Sequence, residues 1–164
     1  MSKIIVIGSP GAGKSVFSQK LRDITNLPLY HLDILYHKAD GTHIPKEELD
    51  KKLKEIFKTE KWIIDGNYQR TLEMRLKQCD TVFLLDYPTE VCLKGALSRV
   101  GKKREDLPWV ESKLDEDFKQ CIVDFSKEKL PQIYELLNKY KEHLNIIIFK
   151  SRDEADNYIR TYKK

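Results

Sequence analysis

An α/β fold, with a sheet covered by helices on both sides, is what this sequence of 164 residues predicts. Three observations point there. Five apolar runs alternate with segments of helical periodicity. The fourth run, Thr81-Val82-Phe83-Leu84-Leu85, is of the kind a parallel sheet buries on both faces. The first, Lys3-Ile4-Ile5-Val6-Ile7, leads straight into Gly8-Ser9-Pro10-Gly11-Ala12-Gly13-Lys14-Ser15, which fits the phosphate-binding pattern G-x-x-x-x-G-K-[ST] without a mismatch.

That loop is the chemical centre of the chain. Its glycines let backbone N–H groups approach phosphate oxygens, because no Cβ intervenes. The helix expected from Ser15 to Ile24 aims its positive end at the same anion. Gly8 to Val16 are therefore the expected nucleotide cradle, with Lys14 on the outer phosphates and the Ser15 hydroxyl on Mg²⁺.

The remaining elements follow in order. Phe17, Leu21 and Ile24 form the inward stripe of the first helix, which Asn26 and Pro28 end. Leu29 to Leu32 reads as a second strand closing on Asp33, completing a βαβ unit. Ile34 to Pro45 reads as irregular. A helix then carries Leu49, Leu53, Ile56 and Phe57 on one face and a solvated Lys/Glu face opposite. Trp62-Ile63-Ile64 is the third strand, ending at Asp65-Gly66, and a short helix runs from Arg70 to Lys77. After the fourth strand comes Asp86-Tyr87-Pro88, with Thr89 placed to cap a helix through Val100. Gly101 to Pro108 is a polar basic loop, and Trp109 to Glu128 is expected to be helical. A helix opening at Pro131, a fifth strand Asn145–Phe149 and a closing helix on Ala155, Tyr158 and Ile159 complete a single expected domain.

Composition narrows the function classes. A third of the residues are charged with both signs mixed, and the net charge is +4. That balance suits an anionic small molecule and argues against direct nucleic-acid binding, where clustered basic residues are usual. No run approaches a membrane span, and the first strand leaves no room for a signal peptide, so a cytoplasmic protein is expected. Cys79, Cys92 and Cys121 have no pair spacing and read as reduced thiols. His31, His37, His43 and His143 share no metal-ligand spacing.

Ligands of such sheets gather at the carboxyl ends of the strands. Asp33, Asp65 and Asp86 follow three of those ends. Asp65 is the first choice for holding Mg²⁺ with Ser15. Asp33 faces the expected acceptor, to orient or deprotonate a hydroxyl or to share the metal's water shell. Phosphoryl transfer also needs cations. Arg70, five residues after Asp65, suits an acceptor clamp. Arg99, Lys103 and Arg104 flank a loop able to close over phosphates, and Arg75 is a weaker candidate. Tyr30, Tyr36, Trp62 and Tyr68 lie toward the acceptor side, as core or as stacking residues.

Asp65-Gly66 with Arg70, the Gly-x-Pro-Gly-x-Gly-Lys loop, and Asp86-Tyr87-Pro88 before a helix carrying Arg99 resemble adenylate kinases. His31-Leu32-Asp33 and Trp62 to Tyr68 resemble more closely the DNA topology modulation, or FlaR-related, proteins, themselves similar to small adenylate and shikimate kinases. The resemblance implies a P-loop fold of nucleoside-monophosphate-kinase type with strand order 2-3-1-4-5. It further implies that Arg70 holds the acceptor, Arg99 and Arg104 belong to a lid at 100–110, and Ser151 and Arg152 lie near the adenine. An acceptor region is expected at 34–60. Gln69 replaces the proline expected beside the acceptor arginine, and no zinc-binding cysteines decorate the short lid.

Two functions follow as expectations. One is an ATP- and Mg²⁺-dependent phosphotransferase acting on a nucleotide or small hydroxyl compound. The other is a nucleotide-dependent regulator that acts through nucleic acid or protein and turns ATP over slowly. Nothing in the sequence fixes an oligomeric state.

Overall fold

A computed structural model describes residues 1–163. Its strands are β1 (Lys3–Gly8), β2 (Leu29–His31), β3 (Trp62–Asp65), β4 (Thr81–Leu85) and β5 (Asn145–Phe149). All pair in parallel in the order β2-β3-β1-β4-β5, the order the resemblance implies. The helices are α1 (Lys14–Thr25), α2 (Leu32–Tyr36), α3 (Lys46–Phe57), α4 (Gln69–Leu76), α5 (Thr89–Ser98), α6 (Glu116–Glu128), α7 (Leu130–Tyr140) and α8 (Arg152–Thr161).

Alternation along the strands divides the core. Ile5, Ile7 and Ile64 face one layer, with Leu32, Leu49, Leu53, Leu72, Ile133 and Leu137 packed on them. Ile4, Val6 and Ile63 face the other, against Phe17, Leu21, Ala96 and Ala155. The strands are apolar throughout because both faces are covered. Their carboxyl ends, Gly8, His31, Asp65 and Leu85, therefore open together on one rim.

The opposite rim is held by one carboxylate. Asp80 Oδ2 accepts bonds from Ser2 N, Ser2 Oγ and Lys3 N, each at 2.9 Å, and Oδ1 from Thr81 Oγ1 at 2.7 Å. Burial pushes this carboxyl up, but those bonds outweigh it and hold its pKa below the ordinary value. Asp80→Asn is expected to cost about 1–2 kcal/mol at pH 7. Because the folded pKa is the lower one, this contribution is present above about pH 4 and lost as pH falls through the folded pKa. Urea melts at pH 7 and pH 3 check it; an equal penalty at both would remove the charge from the account.

Four local expectations need correction. Asp33 does not close β2, because the chain turns into α2 at Leu32, and His31 takes the rim position level with Asp65. Ile34–Pro45 is not wholly irregular: α2 occupies its start, His37 bridges His43, and Tyr36 stacks on His43 at 4.6 Å. Thr89 is the first helical residue of α5, and Pro88 takes the cap. No helix begins at Trp109. The Asp115 carboxylate caps α6 by accepting from Asp117 N at 2.7 Å, and the chain before it is tied by Gly101 N donating to Glu111 O.

Among the described residues no helix is long and apolar enough to cross a membrane. Cys92 is buried, Cys79 half-buried and Cys121 exposed, all free thiols.

Candidate functional site

A cavity of about 800 Å³ opens on the carboxyl rim, between the loop after β1, the segment after β3 and the lid between α5 and α6. Lys14, Ser15, Asp33, Asp65, Arg99 and Arg104 all line it.

The loop is held from three directions. Asn67 forms a reciprocal pair with Gly8, accepting from its N–H at 3.1 Å and donating to its carbonyl at 2.7 Å. Lys14 Nζ donates to Gly8 O and Ser9 O at 3.0 and 3.1 Å, closing the loop on itself. Burial lowers the Lys14 pKa, which Asp65 and Asp33 partly oppose. From behind, Arg152 donates to Gly11 O at 3.1 Å and lies over the Tyr87 ring.

Close approach explains two glycines. Gly11 has φ +81°, and a Cβ there would lie 2.0 Å from Cys92 O on α5. A Cβ on Gly95 would lie 2.1 Å from Gly11 O and 2.6 Å from the Arg152 guanidinium. Gly95→Ala must therefore push the loop off α5. The expected result is a loss of about 1–3 kcal/mol in stability with weaker ATP binding, read by thermal melts and calorimetry. Unchanged ATP affinity would mean that the loop yields without consequence.

The metal-side groups are already in contact. Ser15 Oγ donates to Asp65 Oδ2 at 2.9 Å, and Asp65 is 5% exposed. A hydroxyl and a carboxylate, with phosphates and water completing the shell, suit Mg²⁺, a hard ion that prefers oxygen and keeps several waters. Among the described residues no three His, Cys, Asp or Glu side chains form a closed metal cage.

The lid adds groups that sequence reasoning passed over. His31 Nδ1 lies 2.7 Å from Asp65 Oδ2, and its Nε2 lies 3.1 Å from Glu105 Oε2. Burial opposes a charge on His31, and these two carboxylates outweigh it, raising its pKa. Glu105 also accepts from Arg22 at 3.0 and 3.1 Å, so one lid carboxylate bridges α1 and the end of β2. Buried Asp106 accepts both arms of Arg104, at 2.9 and 2.7 Å. Burial works against its charge, yet the Arg104 guanidinium bonded to it holds its pKa down to about 2. His31 lacked only metal-ligand spacing in the sequence. Its place in the motif His31-Leu32-Asp33 was the available signal.

The predicted arginines part company. Arg99 lines the cavity, its Nε is buried without a hydrogen-bond partner among the described residues, and burial lowers its pKa. Such an orphaned donor suits an anion. Arg104 also faces the cavity but is paired with Asp106 and Glu111 inside the lid. Arg70 does not line the cavity: it is exposed and pairs with Asp50 of α3 at 2.9 and 3.0 Å. Arg75 is fully buried. It binds Thr71 Oγ1 and the carbonyls of Gly66, Asn67 and Tyr68, so it holds up the segment after β3. Ser151 caps α8 by accepting from Glu154 N, and Asp86 is engaged by Tyr134 and Lys150; neither reaches the cavity.

On the remaining wall, Asp33 accepts a 2.5 Å bond from Tyr68 OH and lies 3.8 Å from His37 Nε2. Tyr68 has φ +32°, a left-handed conformation uncommon outside glycine. Burial, with the Asp33 charge beside it, raises the phenol pKa, so Tyr68 stays a donor.

The solved structures that superpose on this chain include the shikimate kinase of Acinetobacter baumannii in complex with shikimate. It has a TM-score of 0.61 and 20% identity, over 98% of this chain and 89% of that one. The shikimate kinase of Bacteroides thetaiotaomicron superposes with a TM-score of 0.56 and 17% identity, over 96% and 93%. The fold is that of the P-loop kinases.

In sequence, the chain is 32% identical to the adenylate kinase of Thermotoga maritima over 110 residues, 63% of this chain and 49% of the relative. It is also 32% identical to that of Thermotoga petrophila over 94 residues, 56% and 42% of the two chains. The chain thus spans about half the length of the curated relatives it matches. No family model matches it. These similarities support an adenylate kinase-like P-loop protein and give no support to the DNA-topology resemblance.

Proposed function

We propose that this protein transfers the γ-phosphoryl group of ATP to the hydroxyl of a small acceptor. The observation that carries the reading is the cavity itself. It places the phosphate loop, the Ser15–Asp65 pair, the orphaned guanidinium of Arg99 and the carboxylate of Asp33 around one space. Transfer of this kind asks little covalent chemistry of the protein, so positioning and charge supply most of the catalysis.

The residues then take distinct parts. The loop amides from Gly8 to Val16 and Lys14 bind the triphosphate, and Arg152 braces the loop behind them. Ser15 and Asp65 would hold Mg²⁺, which when bound neutralises phosphate charge. Arg99 meets the charge that spreads over the transferred oxygens. Arg104 keeps the lid folded over the cavity through Asp106 and Glu111. Asp33, oriented by Tyr68, takes the proton of the attacking hydroxyl.

The testing experiment follows ADP formation with Mg-ATP across nucleosides, nucleoside monophosphates, hydroxy acids, polyols and amino alcohols. Acceptor-stimulated ADP release is expected for at least one class. Release no faster than with water alone, across the whole panel, would sink the proposal. It would leave a nucleotide-binding protein without this transfer.

A further inference from the structure

We infer that the acceptor is an alcohol bearing neither phosphate nor carboxylate, because the acceptor wall of the cavity sets the Asp33 carboxylate among aromatic rings without a lysine or arginine. The inference rests on the phosphoryl-transfer reading above and concerns which acceptor that site takes.

Between residues 32 and 77, the chain contributes Asp33, His37, Asp65, Gly66, Asn67 and Tyr68 to the cavity. The two arginines in that range are turned to other work. Arg70 is bonded to Asp50 and lines a separate groove against α7, with Gln132 and Lys139. Arg75 is fully buried and spends its donors on Thr71 and three carbonyls. The cations of the cavity are Lys14 from the loop and Arg99, Lys102, Lys103 and Arg104 from the lid side, where a triphosphate needs them.

Lys14, Arg99 and Arg104 are the cations that act on Asp33, and the triphosphate and the lid take them. Helices α2, α3 and α4 add none, so an anionic acceptor on the remaining wall meets a like charge that discriminates against it. An uncharged or cationic alcohol meets a hydrogen-bond acceptor flanked by rings instead. Trp109 stands edge-on to His37 at 5.3 Å, and Tyr36 stands edge-on to Tyr68 at 5.4 Å. A carboxylate beside aromatic rings suits neutral and cationic groups.

The balanced reaction is simple. The alcohol oxygen forms a bond to the γ-phosphorus, the bond from that phosphorus to the β–γ bridging oxygen breaks, and ADP leaves with its electron pair. The hydroxyl proton passes to Asp33 and then to solvent. The products are a phosphate monoester, ADP and a proton.

The test uses matched acceptors with Mg-ATP and the intact protein: a nucleoside against its 5′-monophosphate, glycerol against glycerate, and choline and shikimate as cationic and anionic single points. The expected result is a preference in kcat/KM of about 100-fold for the member without the anion. A second arm places a cation on the wall: His37→Arg is expected to narrow that preference by about tenfold, with the melting temperature confirming that it folds. Better turnover of a monophosphate, of glycerate or of shikimate overturns the inference while leaving phosphoryl transfer standing. No ADP release with any acceptor, while calorimetry still detects ATP binding, overturns the transfer reading itself and this inference with it.

Discussion

Asp33→Asn is expected to lower acceptor phosphorylation by about 10²–10⁴-fold, the range for loss of a positioned general base. Mg-ATP affinity should stay within about twofold, because the triphosphate is held elsewhere in the cavity, by Lys14 and the loop amides. The substitution is conservative in shape. An amide oxygen can still accept the Tyr68 hydroxyl that now reaches Asp33 at 2.5 Å, so the wall keeps its packing while losing its proton acceptor. Steady-state kinetics beside calorimetry separates the two quantities. A variant with full transfer would reduce Asp33 to a hydrogen-bond partner of Tyr68. One that lost ATP binding as well would place Asp33 on the nucleotide instead.

Lys14→Ala is expected to have the larger effect on the nucleotide. A hydrogen bond to a charged group is worth roughly 1.5–3 kcal/mol, so ATP affinity should fall by about 10–150-fold. Transfer should fall by about 10³-fold or more, since the same charge is needed as the phosphoryl group moves. The unliganded protein should melt within ~2 °C of the parent. Lys14 now donates only to the carbonyls of Gly8 and Ser9, and its burial already works against its charge. The thermal stabilisation that Mg-ATP confers should shrink in step with the affinity. A large drop in unliganded stability would instead make Lys14 a structural staple of the loop.

Much of the fold was legible because its signals are local. Five apolar runs, read in order, became five parallel strands, and the stripe Phe17, Leu21 and Ile24 became the inward face of α1. The loop motif was legible for the same reason, since its residues are contiguous and its context is one strand and one helix. The misreadings fell where specific side-chain contacts, rather than periodicity, decide. Asp33 left the strand end because Leu32 is drawn fully into the core beneath Gly66. The expected helix at Trp109 gave way to a lid folded around Arg104, Asp106 and Glu111, three side chains whose pairing no periodicity announces.

The candidate site shows the same division. Asp65 and Ser15 are fifty residues apart and meet because β1 and β3 are neighbours in the sheet. Four arginines were candidates in the sequence, Arg70 as an acceptor clamp, Arg99 and Arg104 in a lid, and Arg75 as a weaker one. Arg99 faces the cavity with a free buried donor, Arg104 is tied into the lid, Arg70 is bonded to α3, and Arg75 carries the backbone after β3.

By itself, then, the sequence determined the alternation of strands and helices and the phosphate loop from Gly8 to Ser15, because hydrophobic period and glycine content act over a few residues. Only the tertiary structure decided which charges remain available to a ligand. A charged side chain's role depends on whether the folded chain has already given it a partner, whether from another helix, as Asp50 for Arg70, or from a turn of its own loop, as Asp106 for Arg104.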